Sequence, residues 1–318
     1  MKRRLGKTEI QVSRIGLGCW QFSGAVIGSF YWDSVSEARA NEIVRESLEG
    51  GVNFFDTAEM YSFGRSEKIL SAALTKAGIA DGKVVVATKW LPYLRTANSI
   101  RKTIANRQAT LAPFGIDLYQ VHNPRSISSV EKQMSAMADL VEQKKIRAIG
   151  VSNFSPELMR RAHRALAKRG IPLASNQVRY SLLDRHIETD GTLDAAKELG
   201  VTIIAYSPLA QGVLTGRFHR DPDLINKLPF MRRRIVRRMV EKSRPQVEML
   251  GEISTFYGVS SAQIALNWLI NYNGDMVVAI PGATRADQAA QNACAMSFTL
   301  SQSDMKRLDS LCNKSGAL

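Results

Sequence analysis

Cysteine is scarce in this chain: three residues in 318, at Cys19, Cys294 and Cys312. None stands at CxxC spacing, and an odd number cannot close a disulfide framework, so a reducing compartment, the cytoplasm, is expected. The four histidines, His122, His163, His186 and His219, show no ligand spacing, which argues against a structural zinc site. No apolar run approaches the roughly 18 residues of a membrane-spanning helix. The basic opening MKRRLGKTEIQVSRIGLG has no apolar stretch of the kind a secretory signal needs, so no transmembrane or targeting segment is expected. GxxxxGK[ST] is missing, which leaves a P-loop nucleotidase unsupported. The first glycine-rich turn, Gly16-Leu17-Gly18-Cys19-Trp20-Gln21, lacks the third glycine of the GxGxxG dinucleotide fingerprint. Acidic residues are outnumbered, 29 against 43 Lys+Arg, for a net +14. That excess can attract nucleic acid, acidic lipid or a phosphorylated ligand and does not choose between them.

What is present reads as a soluble globular protein, 45% apolar and 23% charged, long enough to bury a core without metal or disulfide. Short β-rich runs alternate with helical patterns. The runs are Ile15–Gly18, Asn53–Asp56, Val84–Lys89, Ile116–Val121, Ile146–Val151, Leu173–Gln177, Val201–Tyr206 and Val277–Ile280. The first seven recur at about the 30-residue spacing of βαβ units; the last gap is longer and holds an insertion at about 210–245. Between the runs, Ala40, Ile43, Val44 and Leu48 form one helical face, closed by Gly50, and Val130, Met134, Met137, Ala138 and Val141 form another. Ser155-Pro156 opens a third helix, which Gly170 ends. This alternation predicts a single-domain (β/α)8 barrel over 1–318. Residues Arg3 to Val12 hold a turn between two short alternating runs and predict a β-hairpin capping the barrel bottom.

A barrel carries its chemistry at the C-terminal ends of its strands. Asp56 ends the second run, Tyr61 follows it, Lys89 ends the third run and His122 follows the fourth. Taken alone, each has an ordinary reading: a turn carboxylate, a packed phenol, a surface lysine, a core histidine. Four polar groups on adjacent strand ends are harder to explain as packing, because buried charges need partners. A phenol is a poor acid at neutral pH, and an ammonium beside it should lower its pKa. Asp56 would hold Lys89, and His122 would orient a substrate oxygen. The set suits protonation of a carbonyl oxygen while hydride arrives at its carbon.

The chain resembles the aldo-keto reductase family. The matching stretches are Gly51 to Tyr61, Ala87-Thr88-Lys89, Asp117 to His122, Ile149 to Phe154, Asn176-Gln177, Ala205 to Gly212 and Ile280 to Arg285, in the family's order and over nearly the whole length. The resemblance implies a reductase using NADP(H), with Tyr61 as proton donor, Lys89 and Asp56 tuning it, and His122 orienting the carbonyl. It further implies that Ser152, Asn153 and Gln177 contact the carboxamide and that Tyr206 stacks on the nicotinamide. Ser207, Leu209, Gln211, Gly212 and Arg217 would follow the pyrophosphate. Gly282, Thr284 and Arg285 would lie near the 2′-phosphate, Gln288, Gln291 and Asn292 would hold the adenine, and Trp20 would border the cofactor. Gln291 replaces a glutamate common in the family, keeping a carbonyl acceptor. Cys19 replaces a common threonine, and packing is its favoured role.

Arg217 to Arg244 hold ten Lys or Arg against three Asp or Glu, a net +7. Met231 to Val240 predict a basic amphipathic helix with Ile235, Met239 and Met231 inward. It is expected to pack on the barrel rim; a cofactor phosphate clamp, or contact with an acidic partner, lipid or nucleic acid, are the other readings. No aromatic residue interleaves with its arginines, so no nucleic-acid partner is expected. Trp20, Phe22, Phe30, Tyr31, Trp32 and Trp90 suggest an aromatic pocket for an apolar aldehyde. The rival function is a cofactor-binding regulatory subunit like the family's channel-associated relatives. His122 favours the enzyme, since those relatives resemble this chain but carry asparagine there.

Overall fold

The computed structural model describes residues 2–24 and 35–314. Strands β1 (Lys2–Arg4) and β2 (Gln11–Ser13) pair antiparallel, with Arg3 opposite Val12. The hairpin's alternation turns Leu5, Ile10 and Val12 inward, where they join Phe54, Leu118, Ala148 and Ile204 in the floor of the barrel. Gly6 makes the turn at φ 56°, and a Cβ there would fall 2.5 Å from the Ala174 carbonyl oxygen. The hairpin is therefore the bottom cap expected from its sequence.

All eight expected runs become parallel strands: β3 (Leu17–Gly18), β4 (Phe54–Asp56), β5 (Val85–Trp90), β6 (Leu118–Val121), β7 (Ala148–Ser152), β8 (Leu173–Arg179), β9 (Thr202–Tyr206) and β10 (Val277–Ala279). They pair in chain order from β3 to β10. Parallel bridges Ile15–Ala279 and Gly18–Gly282 join the two ends, and the Gly16 N–H donates to the Ala279 carbonyl at 2.8 Å. The ring is thus closed, as a barrel requires and an open doubly wound sheet does not allow.

Helices α1 (Glu37–Glu49), α2 (Arg65–Lys76), α3 (Asn98–Leu111), α4 (Val130–Glu142), α5 (Pro156–Ala167) and α6 (Thr192–Leu199) fill the six steps between β3 and β9, one each. Their starts obey capping chemistry: Ser36, Ser129 and Ser155 each accept the N–H three residues on. The faces read from the sequence are the buried ones, Ala40, Ile43 and Val44 on α1 and Met134, Met137 and Ala138 on α4. The methionines are core.

Between β9 and β10 lie a 3-10 segment (Ala210–Thr215), α7 (Arg217–Arg220), α8 (Asp223–Asn226), α9 (Phe230–Lys242), α10 (Arg244–Tyr257) and α11 (Ser261–Tyr272); α12 (Ala286–Cys294) and α13 (Gln302–Lys314) follow β10. On α9 the expected face is corrected. Arg232 and Val236 are buried, whereas Met231 and Ile235 are exposed and Met239 is half-buried. The hydrophobic pattern misplaces the face because an arginine stem packs like an apolar chain once its head finds a partner. Here the Arg232 guanidinium donates to the Gln211 carbonyl at 3.0 Å.

Candidate active site

Strand register sets the floor of the mouth. Lys89 on β5 is level with Gln120 on β6, and Ser152 on β7 with Gln177 on β8. Gly150 leaves space between them, since a Cβ there would come within 2.9 Å of the Gln120 side chain. Asp56, the last residue of β4, takes the Lys89 ammonium on Oδ1. Its Oδ2 accepts the side-chain amides of Gln120 and Gln177, each at 2.9 Å. Lys89 also donates to the Thr57 carbonyl at 2.9 Å and to the Tyr61 hydroxyl at 3.4 Å. The Tyr61 and His122 rings meet edge to face with centroids 5.8 Å apart. Asp56, Tyr61, Lys89 and His122 are thereby brought to one place.

Electrostatics correct one expectation. Burial pushes the Tyr61 phenol up; Lys89 pulls it down and Asp56 pushes it up again, so it lies above the usual tyrosine value rather than below. Burial opposes the Lys89 ammonium, but Asp56 and Tyr61 outweigh it and raise its pKa. Burial, then the Lys89 charge, lower His122 to about 3. The imidazole is neutral, and its buried Nδ1 has no partner among the described residues.

A cleft of about 820 Å³ runs from these groups toward α12. Every candidate site residue lines it except Lys89, which is fully buried beneath Tyr61. Tyr206 donates to Asn153 Oδ1 at 3.1 Å, and Asn153 to Ser152 Oγ at 3.0 Å. The Gln177 NH2 is committed to Asp56 and Gln120, leaving its carbonyl end for a ligand. After β9 the chain takes positive φ at Ser207, Ala210, Gln211 and Gly212, a compact bend under the cleft. Arg217 is held below its ordinary pKa by burial and by the charge of Arg285, and its buried Nε has no partner among the described residues. Two guanidiniums that disfavour each other across a cleft call for an anion between them. Arg285 precedes α12 and pairs with Asp287 at 2.8 Å. Gln288 accepts the Thr284 N–H at 2.9 Å, and Gln291 and Asn292 complete that end. Nicotinamide dinucleotide chemistry fits this donor set, with polar amides at one end, the guanidinium of Arg217, which meets no carboxylate among the described residues, in the middle, and Arg285 with amide acceptors at the other.

The aromatic pocket shrinks. Trp20 faces the cleft, its ring centroid 6.4 Å from that of Tyr61. Phe22 and Trp90 are wholly buried in the core, and Phe30, Tyr31 and Trp32 lie outside the described residues. Cys19 packs, fully buried, with its thiol pushed up by burial. Gln120 was not singled out by the sequence. Its signal is period two: Leu118, Gln120 and His122 share the inward face of β6. Lys227, Leu228, Arg232 and Ile235 of the insertion also line the cleft, which the composition of that segment alone does not reveal.

The Aldo/keto reductase family model matches residues 14–313. An uncharacterized oxidoreductase of Mycobacterium tuberculosis is 38% identical over 294 residues, covering 92% of this chain and 86% of its own. The aldo-keto reductase YhdN of Bacillus subtilis is 33% identical over 320 residues, covering 96% and 92%. Among solved structures, a thermostable aldo-keto reductase in complex with the inhibitor epalrestat superposes with TM-score 0.78 at 30% identity, covering 98% and 99%. A glycerol dehydrogenase of Gluconobacter oxydans gives 0.81 at 26%, covering 100% and 96%. Likeness of this extent, carried on a closed barrel, puts the chain in the aldo-keto reductase family of oxidoreductases.

Proposed function

We propose that the chain reduces an aldehyde or ketone to an alcohol with NADPH, Tyr61 giving the proton. One observation carries the reading: the Tyr61 hydroxyl stands 3.4 Å from the Lys89 ammonium, beside a neutral His122, at the wall of a cleft that continues to Arg217 and Arg285. When bound, the cofactor supplies the hydride. Ser152, Asn153 and the Gln177 carbonyl would hold its carboxamide, and Tyr206 its ring face. The bend from Ser207 through Leu209, Gln211 and Gly212, with Arg217, would follow the pyrophosphate. Gly282, Thr284 and Arg285 would receive the 2′-phosphate, and Gln288, Gln291 and Asn292 the adenine.

The protein's own groups divide the remaining work. A neutral imidazole has one N–H, so His122 donates a hydrogen bond to the substrate oxygen and fixes its place. As charge grows on that oxygen, Tyr61 passes it the phenolic proton. The Lys89 ammonium then faces the phenolate and stabilises it. Asp56, anchored by two amides, keeps Lys89 from turning away. Free thiols at Cys19 and Cys294 fit a cytoplasmic setting. No observation favours the regulatory-subunit reading.

The test is a panel of aldehydes and ketones incubated with purified protein and NADPH, following cofactor absorbance. Oxidation of NADPH by at least one carbonyl class is expected. Bound cofactor with no turnover on any of them would overturn the reading.

A further inference from the structure

The helix α9 turns one face to the cleft and the other to solvent. Arg232 and Val236 are buried. The opposite arc carries Phe230 and Met231, which are 73% and 46% exposed, while Ile235, 40% exposed, borders the cleft. At about 100° per residue, Arg234, Arg238, Glu241 and Lys242 fall in or beside the same arc, and all four are exposed, three cations to one anion. On α5 and the turn after it, three arginines meet carboxylates: Arg160 with Glu198, Arg161 with Glu131, Arg169 with Asp139 and Glu142. On α9, Arg233 and Arg237 bond only neutral oxygens, of Leu228 and Asn226. Among the described residues, no carboxylate pairs with Arg233, Arg234, Arg237 or Arg238.

The exposed apolar side chains also have a pattern. Among the described residues eight large hydrophobic side chains are exposed. Seven of them follow the C-terminal ends of strands: Phe63 after β4, Tyr93 and Leu94 after β5, Ile127 after β6, and the three of α9 after β9. The eighth, Phe256, lies at the far end of α10. Single exposed hydrophobics need no explanation, but a rim of them around one opening does. Strands β5 and β9 stand four places apart in the ring of eight, so the rim has members on opposite sides of the mouth.

We propose that the barrel mouth docks on an anionic lipid bilayer, with α9 as its basic amphipathic contact. Such a helix lies in the headgroup layer, arginines on the phosphates and apolar side chains toward the acyl chains. A bilayer is broad enough to meet both sides of the mouth at once. A second copy docked face to face about a two-fold axis on α9 would set the same unpaired arginines against one another, at a cost. Nucleic acid would take the arginines but leave Phe230, Met231 and Leu94 uncovered. Docked this way, the mouth opens toward lipid, and apolar carbonyl compounds held in the bilayer are the substrates best placed to reach Tyr61. That consequence rests on the reduction proposed above; the docking does not.

The experiment is flotation of the full chain with vesicles of phosphatidylcholine mixed with phosphatidylglycerol, against pure phosphatidylcholine, at low and at physiological salt. Neither cofactor nor substrate is added, so the outcome is independent of the reaction. Binding to the anionic vesicles alone, weakening with salt, is expected. Each arginine at such a surface contributes about five-fold, so the double variant Arg234→Gln, Arg238→Gln should bind about 25-fold more weakly. Phe230→Ser on one side of the mouth and Leu94→Ser on the other should each weaken binding as well. All these variants should keep wild-type melting and wild-type turnover of a water-soluble aldehyde. Absence of binding to anionic vesicles at low salt overturns the proposal. So does wild-type binding by both serine variants, which would mark a charge attraction of the kind a nucleic acid also exerts.

Discussion

The proposed reduction asks Tyr61 to be an acid in a place that resists ionisation. Burial holds its proton on, Lys89 favours its loss, and Asp56, which anchors Lys89, opposes that loss in turn. The phenol is accordingly protonated through the neutral range, which is the form that a proton donor needs. His122 gives a pH prediction. Its folded-state value of about 3 lies below the ordinary 6.5, so the unfolded chain takes up the proton first. Stability tied to this residue is complete above about pH 6.5 and is lost as pH falls toward 3, at up to about 1.4 kcal/mol per unit. Glu67 runs the other way, raised by burial to about 7, but it is the same in a His122 variant. Denaturant midpoints at about pH 7 and pH 4.5 should therefore fall further for the wild type than for His122→Asn; equal losses would show that His122 is not held neutral. That Asp56, Tyr61, Lys89 and His122 would meet was legible in the sequence because each ends or follows a strand. The net direction of the Tyr61 pKa was not, because the sequence names the neighbouring ammonium without saying how much water the fold removes.

At the scale of elements, strands were easier to read than faces. The runs announce themselves by short apolar, mostly β-branched or aromatic stretches, the first seven also by regular spacing, and each of the eight is found within a few residues of its expected span. The inward face of α9 was missed because Arg232 packs its stem and spends its head on the Gln211 carbonyl, a contact invisible to a hydrophobic pattern. α12 starts just after Pro281-Gly282-Ala283-Thr284-Arg285, and a helix N-terminus favours phosphate. Its arginine, however, is engaged by Asp287. That pair is half exposed and holds Arg285 only weakly, so a phosphate can replace or share it. A charge-assisted contact of this kind contributes about 10- to 100-fold in affinity. Titrating both cofactors by fluorescence, Arg285→Ala should weaken NADPH by about that factor and NADH far less. Equal effects on the two would place the phosphate elsewhere.

Across the whole molecule, a barrel plugged at its base by the β1–β2 hairpin leaves one working end. Asp56, Lys89 and His122 converge there because strand ends in a closed ring must face a common mouth, and the insertion after β9 adds basic side chains to the same end. The excess of positive charge, ambiguous in composition, resolves into an inner set lining the cleft and an outer set on α9. The central claim is that this mouth transfers a proton from Tyr61 to a carbonyl oxygen, and Tyr61→Phe tests it most directly. The substitution removes one oxygen atom and leaves the ring beside His122. With the best carbonyl substrate, turnover should fall at least about 100-fold, while fluorescence titration shows NADPH binding nearly unchanged. Reduction by Tyr61→Phe at close to the wild-type rate would contradict the account.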